Sequence, residues 1–392
     1  MKGKVVYVQH PPIDREAGRR GARRTAAPLA ALVMSGAILT SPASAQDAPL
    51  VRGLLTGYGA VSYSAEPNNG YANNFTATLS PLLLQQVGSD ILFEAEMDFE
   101  LEEATTEIHL EHAQIHYLGF ENLQITAGMF HVPFGIWSHA TWINRMPTAP
   151  LLYQDTHGAP ANEALLPILF DVGVMARLRL PLFDGWTTSA DVWVSQGPSD
   201  EIEEHGHDPA EPTDPTEPHS DAAPLGYGAT FEDNNSDKMV GLRLRSVSQG
   251  GVTVQASGFR AKYDHDSELG VYGMNLSLIL SPLSGGQPLF DLRGEGILLG
   301  QEFLDDVENV IETVNSGGYY VQLSKRFESL EPVARWSQLP QAIAGEGPLV
   351  EGRRQIAIGL NYWFASSVPL KAAYNIELDG TDALFIEWSV GF

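Results

Sequence analysis

Between Ile91 and Tyr117 the chain reads ILFEAEMDFELEEATTEIHLEHAQIHY, with eight acids and three histidines in 27 residues. Glu94, Glu96, Asp98, Glu100 and Glu102 alternate with Phe93, Ala95, Met97, Phe99 and Leu101. Glu107, His109 and Glu111 continue the alternation, and His112, Gln114 and His116 resume it after a slip of one residue. Two kinds of chemistry follow from these residue types. A row of carboxylates attracts and screens cations. Imidazole beside carboxylate is a donor set for Zn, Cu or Ni, with His109, His112 and His116 as the candidate ligands. A weakly bound divalent cation is the only cofactor this pattern suggests.

A spacing of two places such residues on one face of a β-strand. The acids then share one face and the apolar side chains the other. The slip between Glu111 and His112 is what a β-bulge produces. Pairing around a turn at residues 103–106 would set His109 near Glu100 and Glu111 near Asp98.

The same alternation recurs along about sixteen segments, from Val51–Ser64 to Ala383–Phe392. Each is near the length a tilted membrane strand needs. The connections are sorted by parity. Every second one is tight, as at Val87–Asp90, Pro181–Gly185 and Ser248–Gly251. The two long ones, His131–Pro167 and Gln196–Asp237, fall on the other parity. Short turns on one rim and long loops on the other predict an all-β fold, a transmembrane antiparallel barrel of about 16 strands. Its apolar face meets lipid and its polar face lines the interior. Tyr58, Tyr63, Trp186, Trp193, Tyr319, Trp336, Tyr362, Trp363, Tyr374 and Trp388 lie near strand ends and fit interfacial girdles.

The chain has 392 residues, no cysteine and a formal net charge of -26. The missing thiols exclude disulfides, Cys nucleophiles and thiolate metal sites. Residues 46–392 keep 16 of the 23 basic and 47 of the 49 acidic residues, a net of -31. Such a chain is not a nucleic-acid binder. Arg19, Arg20, Arg23 and Arg24 precede the apolar run AAPLAALVMSGAIL and then SPASA. This predicts a secretory signal peptide, with its N-terminal extension spanning 1–45 and cleavage between Ala45 and Gln46. The barrel spans 46–392.

The same phase sorts the arginines. Arg177, Arg179, Arg243, Arg245, Arg293, Arg326 and Arg335 fall on inward positions and predict a basic wall opposite the acidic one. Ladders of opposite sign orient dipolar solutes and screen by charge. Loop residues 196–237 contain EIEEHGHDPAEPTDPTEPHSD, whose proline and acid content predicts a cation-collecting loop without fixed structure. No nucleophile-elbow motif is present, and the reading is not an enzyme.

With signal peptide, loop parity and a terminal strand LFIEWSVGF ending in Phe392, the chain resembles the Gram-negative sixteen-stranded outer-membrane porin superfamily. Gly128-Met129-Phe130 and Pro133-Phe134-Gly135 are similar to the loop entry of phosphate-selective-porin-like and general porin relatives. The resemblance implies a location in the outer membrane and recognition of the Phe392 strand by the barrel-assembly machinery. It also implies a homotrimer. It makes 131–167 the constriction loop, with His131, Trp142, Arg145, Asp155 and His157 as candidate eyelet residues. The few basic residues argue against phosphate. The expected function is passive, cation-preferring diffusion of small hydrophilic solutes. The alternatives are an uptake channel for a divalent metal or metal-siderophore complex, and a structural or adhesive barrel.

Overall fold

The computed structural model describes residues 51–65, 73–102, 105–136, 145–153, 165–166, 170–199, 235–264, 268–284, 287–305, 310–339, 352–378 and 380–392. The expected signal peptide and most of the acidic 196–237 loop lie outside these residues.

Among the described residues eighteen strands are formed. They are β1 (Val51–Ala65), β2 (Asn74–Val87), β3 (Ile91–Glu102), β4 (Thr105–Tyr117), β5 (Leu123–His131), β6 (Phe170–Leu180), β7 (Trp186–Ser195), β8 (Met239–Ser248), β9 (Val252–Lys262), β10 (Gly270–Leu280), β11 (Leu283–Ser284), β12 (Gln287–Pro288), β13 (Asp291–Asp305), β14 (Val310–Ser324), β15 (Leu330–Leu339), β16 (Arg353–Ala365), β17 (Val368–Glu377) and β18 (Ala383–Gly391). Sixteen of them close into one antiparallel barrel, and β11 with β12 makes a small separate hairpin. β13 and β14 run farther toward their shared connection than the sequence pattern indicated. Asn315, Ser316, Gly317 and Gly318 pair with Gly300, Leu299, Leu298 and Ile297.

Closure occurs between the two ends of the barrel sequence. β1 pairs β18 from Tyr58↔Gly391 to Ala65↔Leu384. Gly57 and Phe392 exchange both backbone hydrogen bonds, at 3.2 and 3.0 Å. A closed sheet leaves no unpaired edge, which a barrel in lipid requires. Gly57 has φ +148°, and a Cβ there would stand 2.1 Å from the Ser80 carbonyl oxygen. Only glycine lets β1 pass Ser80–Pro81 this closely.

The outer surface is apolar where a soluble protein would be polar. Leu242, Leu244, Leu276, Ile358, Leu360 and Trp388 are all at least 45 % exposed. A continuous apolar band of this kind is the lipid face of a membrane barrel. Two expected girdle residues instead point inward. Trp193 is fully buried, and the Trp363 indole donates to Glu331 Oε2 at 2.9 Å. The interior itself holds a packed apolar cluster. Phe130, Val132, Phe134, Leu151, Leu152, Tyr153, Leu165 and Leu166 meet Met175, Trp193, Met239, Phe259, Val271, Ile297, Leu299 and Tyr320 there. The described parts of the connection between β5 and β6 are therefore folded into the barrel, against the inner wall from β6 to β14.

Candidate functional site

The acidic face of β3 is set by its alternation. Met97 and Leu101 are exposed on the outer side while Asp98, between them, is only 7 % exposed. β4 keeps the same order, with Ile108, Leu110 and Ile115 exposed and His112 and His116 at 4 % and 7 %. The register steps between Glu96↔His112 and Met97↔Leu110, so Glu111 is the extra residue. The expected bulge is there. It turns His112 and His116 onto the face of Glu94.

The structure gathers these groups tightly. Glu94 bridges both imidazoles, with Oε1 to His112 Nε2 at 3.2 Å and Oε2 to His116 Nε2 at 3.1 Å. His112 Nδ1 stands 3.7 Å from Glu96. His116 Nδ1 meets Thr126 Oγ1 and Gln124 Nε2, each at 2.9 Å. The carboxyls of Asp98 and Glu111 lie close together, as the sequence pairing expected. His109, however, lies opposite Asp98 rather than Glu100, and Glu100 lies opposite Glu107. The cause is a tighter connection, since Glu102 already pairs with Thr105. His109 is held by Glu107 at 3.2 Å, apart from the other two histidines. The three-histidine metal set is thus not assembled. Among the described residues no group of three or more His, Asp and Glu side chains has an arrangement that could hold a metal ion. The Glu102 side chain lies outside the described residues.

The arginines form no continuous basic wall. Arg177 donates to Asp191 Oδ1 at 2.6 Å, and Arg243 donates to Asp191 Oδ2 at 2.7 Å. Arg293 donates to Asp291 at 2.7 Å. Arg179 and Arg245 are exposed on β6 and β8. Arg326 is not on a strand. β14 ends at Ser324, and Arg326 sits in the following turn, 4.6 Å over the Trp363 ring. Arg335 is 2 % exposed and lies under the inward loop.

That loop is held by residues far away in sequence. Arg335 donates to the carbonyls of Thr148 and Ala149, both at 2.7 Å. Glu295 of β13 accepts Ile136 N–H, Tyr153 O–H and Asn275 Nδ2–H at 2.7–2.8 Å. Gln255 donates to Gly135 O at 2.7 Å. Arg145 pairs with Glu331 at 2.7 Å and Asp291 at 3.6 Å, and Asn361 donates to its carbonyl. Phe134 packs edge-on against Phe259 with ring centroids 5.1 Å apart. His131 ends β5 between the rings of His112 and Phe170. Of the expected eyelet residues, Trp142, Asp155 and His157 lie outside the described residues. Glu295, Glu331, Gln255 and Asn361 were not singled out by sequence. Only the loop's path gives them a role.

No family model matches the chain, and no curated protein matches it. Solved structures do. The outer membrane channel DcaP of Acinetobacter baumannii superposes with a TM-score of 0.55 at 12 % identity, covering 87 % of this chain and 97 % of that one. OmpF of Salmonella typhi, solved in complex with daunomycin, gives 0.54 at 13 % identity, with 87 % and 97 % covered. OmpT, an outer membrane protein of Vibrio cholerae in its trimer form, gives 0.51 at 11 % identity, with 88 % and 100 % covered. The fold of this chain is that of the outer-membrane porins.

Proposed function

We propose that the protein is an outer-membrane diffusion channel for small hydrophilic solutes with a preference for cations. The observation that carries this reading is the acidic inner face of β3–β4. Glu96, Asp98 and Glu111 have no arginine or lysine partner among the described residues, in a barrel whose outer face is apolar. Carboxylates on a water-filled wall raise the local cation concentration and lower that of anions. The inward loop narrows the passage from the opposite side. A homotrimer and assembly through the Phe392 strand belong to the same proposal. The trimer is supported by the trimeric Vibrio cholerae structure, and the strand by its part in closing the barrel.

The test is reversal potential in a planar bilayer under a KCl gradient. Stepwise conductance with cation preference is expected. The triple variant Glu94→Gln, Glu96→Gln, Asp98→Asn should fold, as shown by heat-modifiable migration, and lose most of that preference. A folded wild-type barrel with no conductance would refute the channel. An unchanged reversal potential in the folded variant would refute the acidic filter.

A further inference from the structure

Strand register sets four arginines in two neighbouring rows of the inner wall. Arg177, Asp191 and Arg243 stand abreast on β6, β7 and β8. Arg179, Ser189 and Arg245 stand abreast in the next row, nearer the short turns. Asp191 is fully buried and binds Arg177 and Arg243 together. One carboxylate cannot compensate four guanidinium groups, and the second row has no acid of its own. Among the described residues neither Arg179 nor Arg245 has a side-chain hydrogen bond or ion pair. Both are exposed. Between them Ser189 is too short to fill the row, leaving a notch two strand spacings wide, about 9–10 Å. On the β5 side, Arg177, Arg179, Gln124 and Asn122 line a cavity of about 300 Å³, with Glu121 on the adjoining turn as its one acid.

The geometry points to a binding site for a short dicarboxylate at the turn-side mouth of the barrel. It deepens the channel reading above and rests on it. A guanidinium fork matches a carboxylate through two parallel hydrogen bonds. Two forks flanking a gap suit a two-ended dianion better than a compact one, because each end meets its own fork. The four-carbon span of succinate or the five-carbon span of glutarate bridges the notch once the arginines lean over Ser189. Asn122 adds a neutral donor in the cavity beside Arg177, where the Gln124 amide is held by His116 and Thr126. The bound dianion obstructs the mouth and cancels its positive charge. The acidic face of β3–β4, farther along the wall, then acts alone on permeating ions.

The experiment uses the full barrel in a planar bilayer, with glutarate added to one side at a time. Acetate and inorganic phosphate serve as one-ended and compact controls. Glutarate on the side of the short turns should reduce conductance and shift reversal toward stronger cation preference. Acetate should not, and phosphate should act only at higher concentration. In Arg179→Gln/Arg245→Gln the half-blocking concentration should rise at least tenfold while KCl conductance persists. Equal block from both sides, equal block by acetate, or an unchanged half-blocking concentration in the variant would overturn the site. Absence of any KCl conductance would instead overturn the channel reading, so the two failures are distinguishable. Calorimetric titration of glutarate into the folded barrel in detergent gives a second readout that does not depend on conductance. Heat of binding that survives in the double variant would also sink the proposal.

Discussion

Replacing Arg335 with methionine should release the inward loop without opening the barrel. The arginine is 2 % exposed, and its guanidinium donates to the carbonyls of Thr148 and Ala149 at 2.7 Å each, with Thr148 Oγ1 at 3.1 Å. Methionine keeps the length and the apolar stem but donates nothing. Both loop carbonyls lose their charged donor in a buried place. A hydrogen bond to a charged group contributes about 1.5–3 kcal/mol. The two short bonds together favour the docked loop by about 3–6 kcal/mol. At about 1.4 kcal/mol per factor of ten, the released population rises by roughly 10²–10⁴.

The chain has no cysteine, so Ala149→Cys creates a unique thiol on the docked segment. When opening is fast relative to reaction, the labelling rate follows the open population. Thiol labelling of Ala149→Cys should therefore accelerate by that factor in the Arg335→Met background. The barrel should keep its heat-modifiable migration, because β15 is paired through its backbone to β14 and β16 on either side of residue 335. An unchanged labelling rate in a folded double variant would refute the latch. Loss of the folded barrel would show that Arg335 supports the wall and not the loop.

Two further perturbations test the frame around the site. Lys371 is 1 % exposed and holds Glu387 of the last strand at 2.8 Å. Lys371→Met leaves that carboxylate buried without this cation and should cost about 3–5 kcal/mol, lowering the temperature of the heat-modified shift. Lys371→Met/Glu387→Leu should recover most of the loss, since an apolar pair of similar volume is often neutral. At Gly57, alanine meets the Ser80 carbonyl at 2.1 Å in a backbone region that side chains rarely adopt. Gly57→Ala should reduce the yield of closed barrel in refolding, whereas Gly53→Ala on the same strand, where the added carbon meets only the Leu84 carbonyl oxygen at 3.9 Å and φ is not positive, should leave closure intact.

Local pattern was legible where burial follows strand phase. The β3 acids, the β4 bulge and the sixteen barrel strands all come from alternation and turn spacing, which are short-range signals. Errors arose where a second layer changes the rule. Trp193 reads as a girdle residue because tryptophan at a strand end usually meets the membrane interface. Here the loop supplies an apolar interior, and the ring turns inward. Arg335 reads as lumen wall because arginine at an inward position usually meets water. Here loop carbonyls cover it. Glu295 and Glu331 gain their roles only when Tyr153 and Arg145 arrive from about 140 and 190 residues away. No periodicity within a strand carries that information. The placing of His109 failed for a smaller reason, the two-residue connection between Glu102 and Thr105.

Pairing also changes the direction of the electrostatic field expected from sequence. Counting inward arginines set a basic wall across from an acidic one. Once partners are assigned, Arg177 and Arg243 are spent on Asp191, Arg293 on Asp291 and Arg335 on the loop, while Arg326 leaves the wall altogether. Of these seven arginines, Arg179 and Arg245, near the short turns, are the ones left without a partner among the described residues. The acids of β3–β4 that meet neither arginine nor lysine among the described residues, Glu96, Asp98 and Glu111, lie toward the opposite rim. The field therefore has a large component along the barrel axis as well as across it. A transverse field orients a dipole, whereas an axial one makes the two mouths unequal. Conductance through this barrel should accordingly rectify, with the current–voltage curve bending in one sense. Neutralising Arg179 and Arg245 should straighten it, and a curve already linear in the wild-type barrel would show that salt screens the two groups from one another.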